Sequence, residues 1–316
     1  MNPTRRICVC LLTAAMLVMS ACSDNGDDSN ASGSSPNVDR PPLTEILTQR
    51  IHYLTGDDAD PDQNWADFYL PAGPQKKDTI PLVVLIHGGG WRSGVGADVF
   101  TPIARDLAEH GVAVYNVEYR RLGQGGGWPT TFHDVARALD HIVQLDAEYP
   151  QITTEDELVV GHSAGGQLAT WAGTRHKLDD DEVGSRPAFR PTRVISIAGP
   201  LDMRQTAKDG NNHIVGALGG PPEQYPERWD SVDPIHNIDP SIPVAAVHGT
   251  ADRVVRPHNS TRYINALNKQ GGSGRLVLLD GQDHVAPVRP GSDAYRQVID
   301  LIMEYSSQRA EDLGAR

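Results

Sequence analysis

Eight short apolar runs punctuate the chain: Gln49 to Leu54, Trp65 to Leu70, Leu82 to Ile86, Val112 to Val117, Leu158 to Gly161, Val194 to Ile197, Val244 to Val247 and Leu276 to Leu279. Most are continuous Val/Ile/Leu stretches, the pattern of strands buried on both faces of a parallel sheet. The first two alternate more with polar residues and predict an antiparallel edge. Between the runs lie helical periods. From Pro129 to Tyr149 the apolar residues Phe132, Val135, Ala136, Leu139, Ile142 and Val143 fall on one stripe, with Pro129 suited to a first turn. Ile103 to His110, stopped by Gly111, and Tyr295 to Tyr305 predict two more helices. Strand and helix alternating in this way imply a doubly wound α/β sheet with right-handed crossovers, whose ligands gather at the carboxyl ends of the strands. One segment breaks the rhythm. Residues 199–240 are long and rich in Pro, Gly and His, and predict a small lid with Tyr225 and Trp229 as pocket walls.

The first residues follow a different pattern. Arg5 and Arg6 precede an apolar stretch from Ile7 to Met19, too short to span a bilayer, which ends in Ser20 and Ala21. Residues 1–21 therefore predict a signal peptide. Val18-Met19-Ser20-Ala21-Cys22 resembles a bacterial lipobox, which implies a lipid on Cys22 and anchoring at the cell envelope; without the lipid, the same segment predicts secretion. Cys8 and Cys10 lie in the removed segment, so Cys22 is left as a single cysteine and no intramolecular disulfide is expected. Residues 22–42, dominated by Ser, Asp, Asn, Gly and Pro, predict a flexible tether, and residues 43–316 the folded domain. Removal of the leader leaves 26 basic against 41 acidic residues, a net charge of −15. That acidity argues against nucleic acid and against a polybasic lipid contact, so any membrane attachment rests on the lipid.

Candidate chemistry enters at Gly161-His162-Ser163-Ala164-Gly165-Gly166, directly after one apolar run and directly before a helix-favouring stretch. G-x-S-x-G at a strand-to-helix turn is a nucleophile elbow, which presents the serine hydroxyl and puts the Ala164 N–H at a helix N-terminus. A serine needs a base, and the base an acid. Asp252 and His284 each follow a later predicted strand, in the order acid then base. Upstream, His87-Gly88-Gly89-Gly90-Trp91 follows another strand.

On these motifs the chain resembles the α/β-hydrolase superfamily from about Trp65 to Tyr305, and within it hormone-sensitive-lipase-type carboxylesterases and kynurenine-formamidase-like enzymes. The resemblance implies a mostly parallel eight-stranded sheet with helices on both faces and a lid. It also implies a triad of Ser163, Asp252 and His284, with Gly89, Gly90 and Ala164 as oxyanion-hole donors, acting on a small ester or amide. Hormone-sensitive-lipase relatives commonly carry Asp or Glu before the nucleophile, whereas this chain has His162, and the stretch between Leu43 and the strand at Leu82 is too short to predict their bulky N-terminal cap. Both departures favour a compact formamidase-like or feruloyl- or acetyl-esterase-like enzyme. Arylformamidase, prolyl-oligopeptidase-like peptidase and a non-catalytic tethered binding protein are the competing expectations.

Most of the 12 histidines have structural expectations: His87 bracing the glycine loop, His162 pointing away from the site, His248 ending a strand. Asp202 is a rival acid, and Asp283 is expected to face elsewhere. Asp58 to Asn64 resembles the start of a calcium loop but has Gln63 and Tyr69 where glycine and glutamate belong, and Asp179 to Glu182 is a charge run. No metal or cofactor is expected.

Overall fold

The structure is a computed structural model that describes residues 45–92 and 94–313. The expected signal peptide, Cys22 and tether lie outside the described residues. In chain order the elements are β1 Ile46–His52, β2 Trp65–Pro71, β3 Ile80–Ile86, α1 Thr101–Glu109, β4 Ala113–Val117, α2 Thr130–Asp140, α3 Ile142–Glu148, β5 Ile152–His162, α4 Ala164–Ala172, β6 Arg193–Ile197, α5 Met203–Lys208, α6 His213–Leu218, α7 Pro226–Val232, β7 Val244–Gly249, α8 His258–Lys269, β8 Gly274–Leu279, α9 Asp293–Ser307 and α10 Ala310–Leu313.

The strands form one eight-stranded sheet in the order β1-β2-β4-β3-β5-β6-β7-β8. β1 pairs with β2, and β2 with β4, antiparallel; every pairing from β4 through β8 is parallel. The expected fold and its antiparallel edge are both present. Side chains along β3 divide between two cores, as a two-residue period requires. Leu82, Val84 and Ile86 face a core shared with Phe132, Leu139, Leu168, Trp171 and Leu267, while Val83 and Leu85 face one shared with Ile103, Leu107, Val298 and Ile302. Helices thus cover both faces, and each large aliphatic side chain so buried contributes about 1.5–3 kcal/mol.

Three boundaries differ from the sequence expectation. β1 begins three residues earlier and stops at His52, because Tyr53 turns inward to donate its hydroxyl to the Glu118 carbonyl at 2.8 Å. The expected helix 129–149 is two helices that meet at His141. β5 runs from Ile152, its first residues pairing with Ile80 and Pro81 across a register shift in β3. Residues 199–240 hold three short helices, α5, α6 and α7. Trp229, expected as a pocket wall, is fully buried and anchors this insertion in the core, with its indole N–H donated to the Gly220 carbonyl. Tyr225 is half-buried and stacks on the Arg228 guanidinium, 3.7 Å from its ring centre.

Candidate active site

The elbow forms as its sequence demands. β5 ends at His162, α4 begins at Ala164, and Ser163 between them has φ 55° and ψ −120°. A non-glycine residue holds that conformation only where its surroundings enforce it, at a cost of about 1–3 kcal/mol. Two glycines make the turn possible. A Cβ on Gly161 would lie 2.0 Å from the Gly165 carbonyl oxygen, and one on Gly165 would lie 1.9 Å from that of Ile86. Ala164, as first residue of α4, has a backbone N–H with no partner inside the helix.

Loops after β7 and β8 bring Asp252 and His284 to this turn. His284 Nδ1 donates to Asp252 Oδ2 at 2.7 Å, and Ser163 Oγ lies 2.9 Å from His284 Nε2. Asp252 Oδ1 accepts the backbone N–H groups of Val254 and Val255 at 2.8 and 3.0 Å. Burial alone would raise the pKa of this carboxyl, but hydrogen bonds from His248, His284 and Val255, with the charge of His284, hold it well below the usual range. Asp252 therefore stays ionised beside His284.

His248 is closer to this chemistry than its place at a strand end suggests. Its Nε2 lies 3.2 Å from Asp252 Oδ2 and 2.9 Å from the Val255 carbonyl oxygen, while Nδ1 lies 2.7 Å from Ser260 Oγ. A carbonyl only accepts, so Nε2 carries the proton and Ser260 donates to Nδ1. The signal for this contact was the spacing His-x-x-x-Asp across the strand end. His162 was expected to point away and does not. Its ring lies 4.9 Å from that of His284, and its Nε2 is 2.9 Å from the His284 carbonyl oxygen. Burial, with the nearby charge of His284, lowers its pKa to about 4.

The glycine loop lies against Ser163, since a Cβ on Gly88 would come within 3.0 Å of Ser163 Cβ. Gly89, Gly90 and Trp91 follow with φ of 102°, 63° and 56°, a run of left-handed conformations that turns the backbone sharply. His87 braces this loop as expected: Nε2 meets Glu118 Oε1 at 2.9 Å, Nδ1 meets the Gly88 carbonyl at 2.8 Å, and Tyr119 stacks on its ring. Glu118 Oε2 accepts the Ala97 N–H, and Tyr119 donates its hydroxyl to the His87 carbonyl. Burial raises the Glu118 pKa, but its contacts with His87 and the Ala97 and Tyr119 N–H groups outweigh that and lower it.

The insertion touches loops on two sides of Ser163. A Cβ on Gly90 would lie 2.5 Å from Nδ1 of His213 at the start of α6, and Asn211 Nδ2 donates to the Val254 carbonyl. Exposed Val254 and Val285 follow Asp252 and His284 closely in sequence and add apolar surface there. The rival residues lie elsewhere. Asp202 caps α5 through the Gln205 N–H and pairs with Arg262. Asp283 accepts the Val285 and Ala286 N–H groups and faces Arg289. The Asp60 carboxylate is taken by the Asp62 N–H and the Gln63 amide, and Glu182 accepts the Asp179 N–H.

Known proteins share this architecture. A truncated carbohydrate esterase from gut microbiota superposes with a TM-score of 0.70 at 21% identity, over 85% of this chain and 98% of its own. An esterase from Thermogutta terrifontis does so at 0.65 and 23%, over 82% and 91%. In sequence, a probable isoprenylcysteine alpha-carbonyl methylesterase of Oryza sativa is 23% identical over 274 residues, or 81% of this chain, and this chain spans 64% of its length. These likenesses establish the α/β-hydrolase fold. The BD-FAE family matches residues 66–267, a span holding the glycine loop, the elbow and Asp252, and the chain belongs to that family.

Proposed function

We propose that this protein is a serine hydrolase that cleaves carboxylic esters through an acyl-enzyme. The observation that carries the proposal is the continuous relay from Ser163 Oγ through His284 to Asp252, at 2.9 and 2.7 Å. Ser163 Oγ attacks the ester carbonyl as its proton passes to His284 Nε2. Backbone N–H groups of Gly89, Gly90 and Ala164 take the negative oxygen, each worth about 2.7–4 kcal/mol by analogy with a deleted oxyanion donor. The imidazolium returns its proton to the departing alkoxide, leaving the acyl group on Ser163. Water, deprotonated by the same Nε2, then attacks the acyl carbonyl and releases the carboxylic acid, and the proton returns to Ser163. Asp252 orients the ring and stabilises its charge throughout. These steps need no cofactor.

Acylated carbohydrates are the first natural substrate class to test, since a structural neighbour is a carbohydrate esterase. Purified protein should be assayed on p-nitrophenyl esters of increasing acyl length, acetylated sugars and N-formylkynurenine. Ser163→Ala should lower kcat by about 10⁴-fold or more. Turnover that survives in Ser163→Ala sinks the mechanism, and turnover confined to N-formylkynurenine makes the enzyme a formamide hydrolase instead.

A further inference from the structure

His162 occupies a position with unusual reach. It is the last residue of β5, joined by a peptide bond to the proposed nucleophile, and its Nε2 meets the backbone of the proposed base at 2.9 Å. Its own carbonyl oxygen and Nδ1 lie 2.8 and 3.0 Å from where a Cβ on Gly88 would sit, so the glycine loop packs on it too. One side chain thus meets all three segments that must be in register: elbow, glycine loop and base loop.

The chemistry of its partner fixes what can serve there. The His284 carbonyl oxygen only accepts hydrogen bonds, so the group facing it must donate. A neutral imidazole with its proton on Nε2 does this; an ionised carboxylate offers only lone pairs and would repel the carbonyl. We propose that His162 is a positioning residue that holds His284 in line with Ser163, and that its seat selects for a hydrogen-bond donor. This rests on Ser163 and His284 performing the chemistry proposed above.

The surroundings agree. Titratable groups facing His162 are His284, Asp252 and His248, from the loops after β8 and β7 and the end of β7; Gly88 brings no charge, and the neighbouring Asp283 turns outward to Arg289. A charged His162 would set a second cation beside an imidazole that must itself become cationic during turnover. Burial keeps His162 neutral down to about pH 4, so its Nε2 donor is uncharged above that pH. Other bonds hold the same loop at Gly281, through Thr250 Oγ1, and at Gln282, through the Ala251 N–H. Asp283 Oδ1 holds the other side of the loop at Val285 and Ala286, but of these bonds only the one from His162 is made to the backbone of His284 itself.

Three variants separate positioning from bulk. His162→Gln places an amide donor near the position of Nε2, His162→Leu removes the donor, and His162→Asp replaces it with an acceptor. Steady-state kinetics on p-nitrophenyl acetate from about pH 5 to pH 9, inactivation by a phosphonate and thermal melting are measured for each, beside Ser163→Ala. His162→Leu should lose on the order of 10–100-fold in kcat and in phosphonate inactivation rate with KM unchanged, the scale expected when a reacting group is misplaced by about 1 Å. His162→Gln should recover most of that loss. His162→Asp should be no better than His162→Leu, and its acid limb should move to higher pH because a carboxylate beside His284 favours the imidazolium. Equal activity of His162→Leu and His162→Gln, or a loss residing in KM, overturns the proposal. So does a loss that tracks melting temperature across all three. Ser163→Ala tests the underlying mechanism separately: if it is inactive while His162→Leu is fully active, only the positioning role fails.

Discussion

At the scale of single residues, the carboxylate of Asp252 is held by more donors than orientation of His284 requires. Two backbone N–H groups take Oδ1, while His248 and His284 share Oδ2. Withdrawing the His248 donor leaves more negative charge for His284, which favours its imidazolium form. His248→Ala should therefore lower kcat by roughly 10-fold and shift the acid limb of the kcat/KM profile upward; a limb that stays in place, measured on the same ester, contradicts this. Asp252→Asn should lower kcat by about 10⁴-fold, whereas Asp202→Asn should leave kcat near wild type, because Asp202 is committed to the α5 cap and Arg262. The meeting of Ser163, His284 and Asp252 was legible in the sequence because the three sit at strand ends in a required order, which spacing reveals. The directions of His162 and His248 were not. A ring's orientation about a turn depends on φ and ψ at that turn and on which acceptors arrive from elsewhere in the chain, neither of which leaves a periodic trace.

At the scale of elements, close packing and burial decide what each position tolerates. Gly165 lies where α4 passes over β3, and Gly165→Ala would press a methyl group onto the Ile86 carbonyl; its melting temperature should fall and its Ser163 activity with it. Glu157, on the long β5, is buried, and that burial raises its pKa from 4.5 to about 8. A carboxyl whose native pKa is raised contributes stability below its unfolded pKa and loses it as pH climbs through the native value. Glu157→Gln, which cannot ionise, should gain stability relative to wild type between about pH 4.5 and pH 8 and hold a constant advantage above that, as read by denaturant melts across pH. Parallel strands were legible at this scale because their Val/Ile/Leu runs are unambiguous. The edge strand β1 was misplaced because most of its side chains are exposed and polar. The break at His141 was missed because the apolar stripe continues through it. The insertion was found as a departure from rhythm, but the place of Trp229 within it was not, because a large aromatic in an irregular segment is as well suited to anchor that segment as to line a pocket. Trp229→Ala should cost about 3–5 kcal/mol and loosen the insertion, checked by denaturant unfolding and by limited proteolysis within 199–240.

At the scale of the whole molecule, the folded domain is proposed to hang from a lipid on Cys22 by a polar tether, with net acidity keeping it off anionic surfaces. Cys22→Ser should move the protein from membrane to soluble fractions without changing its turnover of a soluble ester; a variant that remains in the membrane fraction contradicts the anchor. The order of the triad along the chain has a further consequence, in time. Ser163 and Asp252 lie within the span that the BD-FAE family matches, but His284 follows β8, the last strand and the far edge of the sheet. During synthesis the elbow emerges more than a hundred residues before His284, the proposed base. On the proposed mechanism the nascent chain therefore carries a serine that is chemically silent, and reactivity arises only when β8 docks.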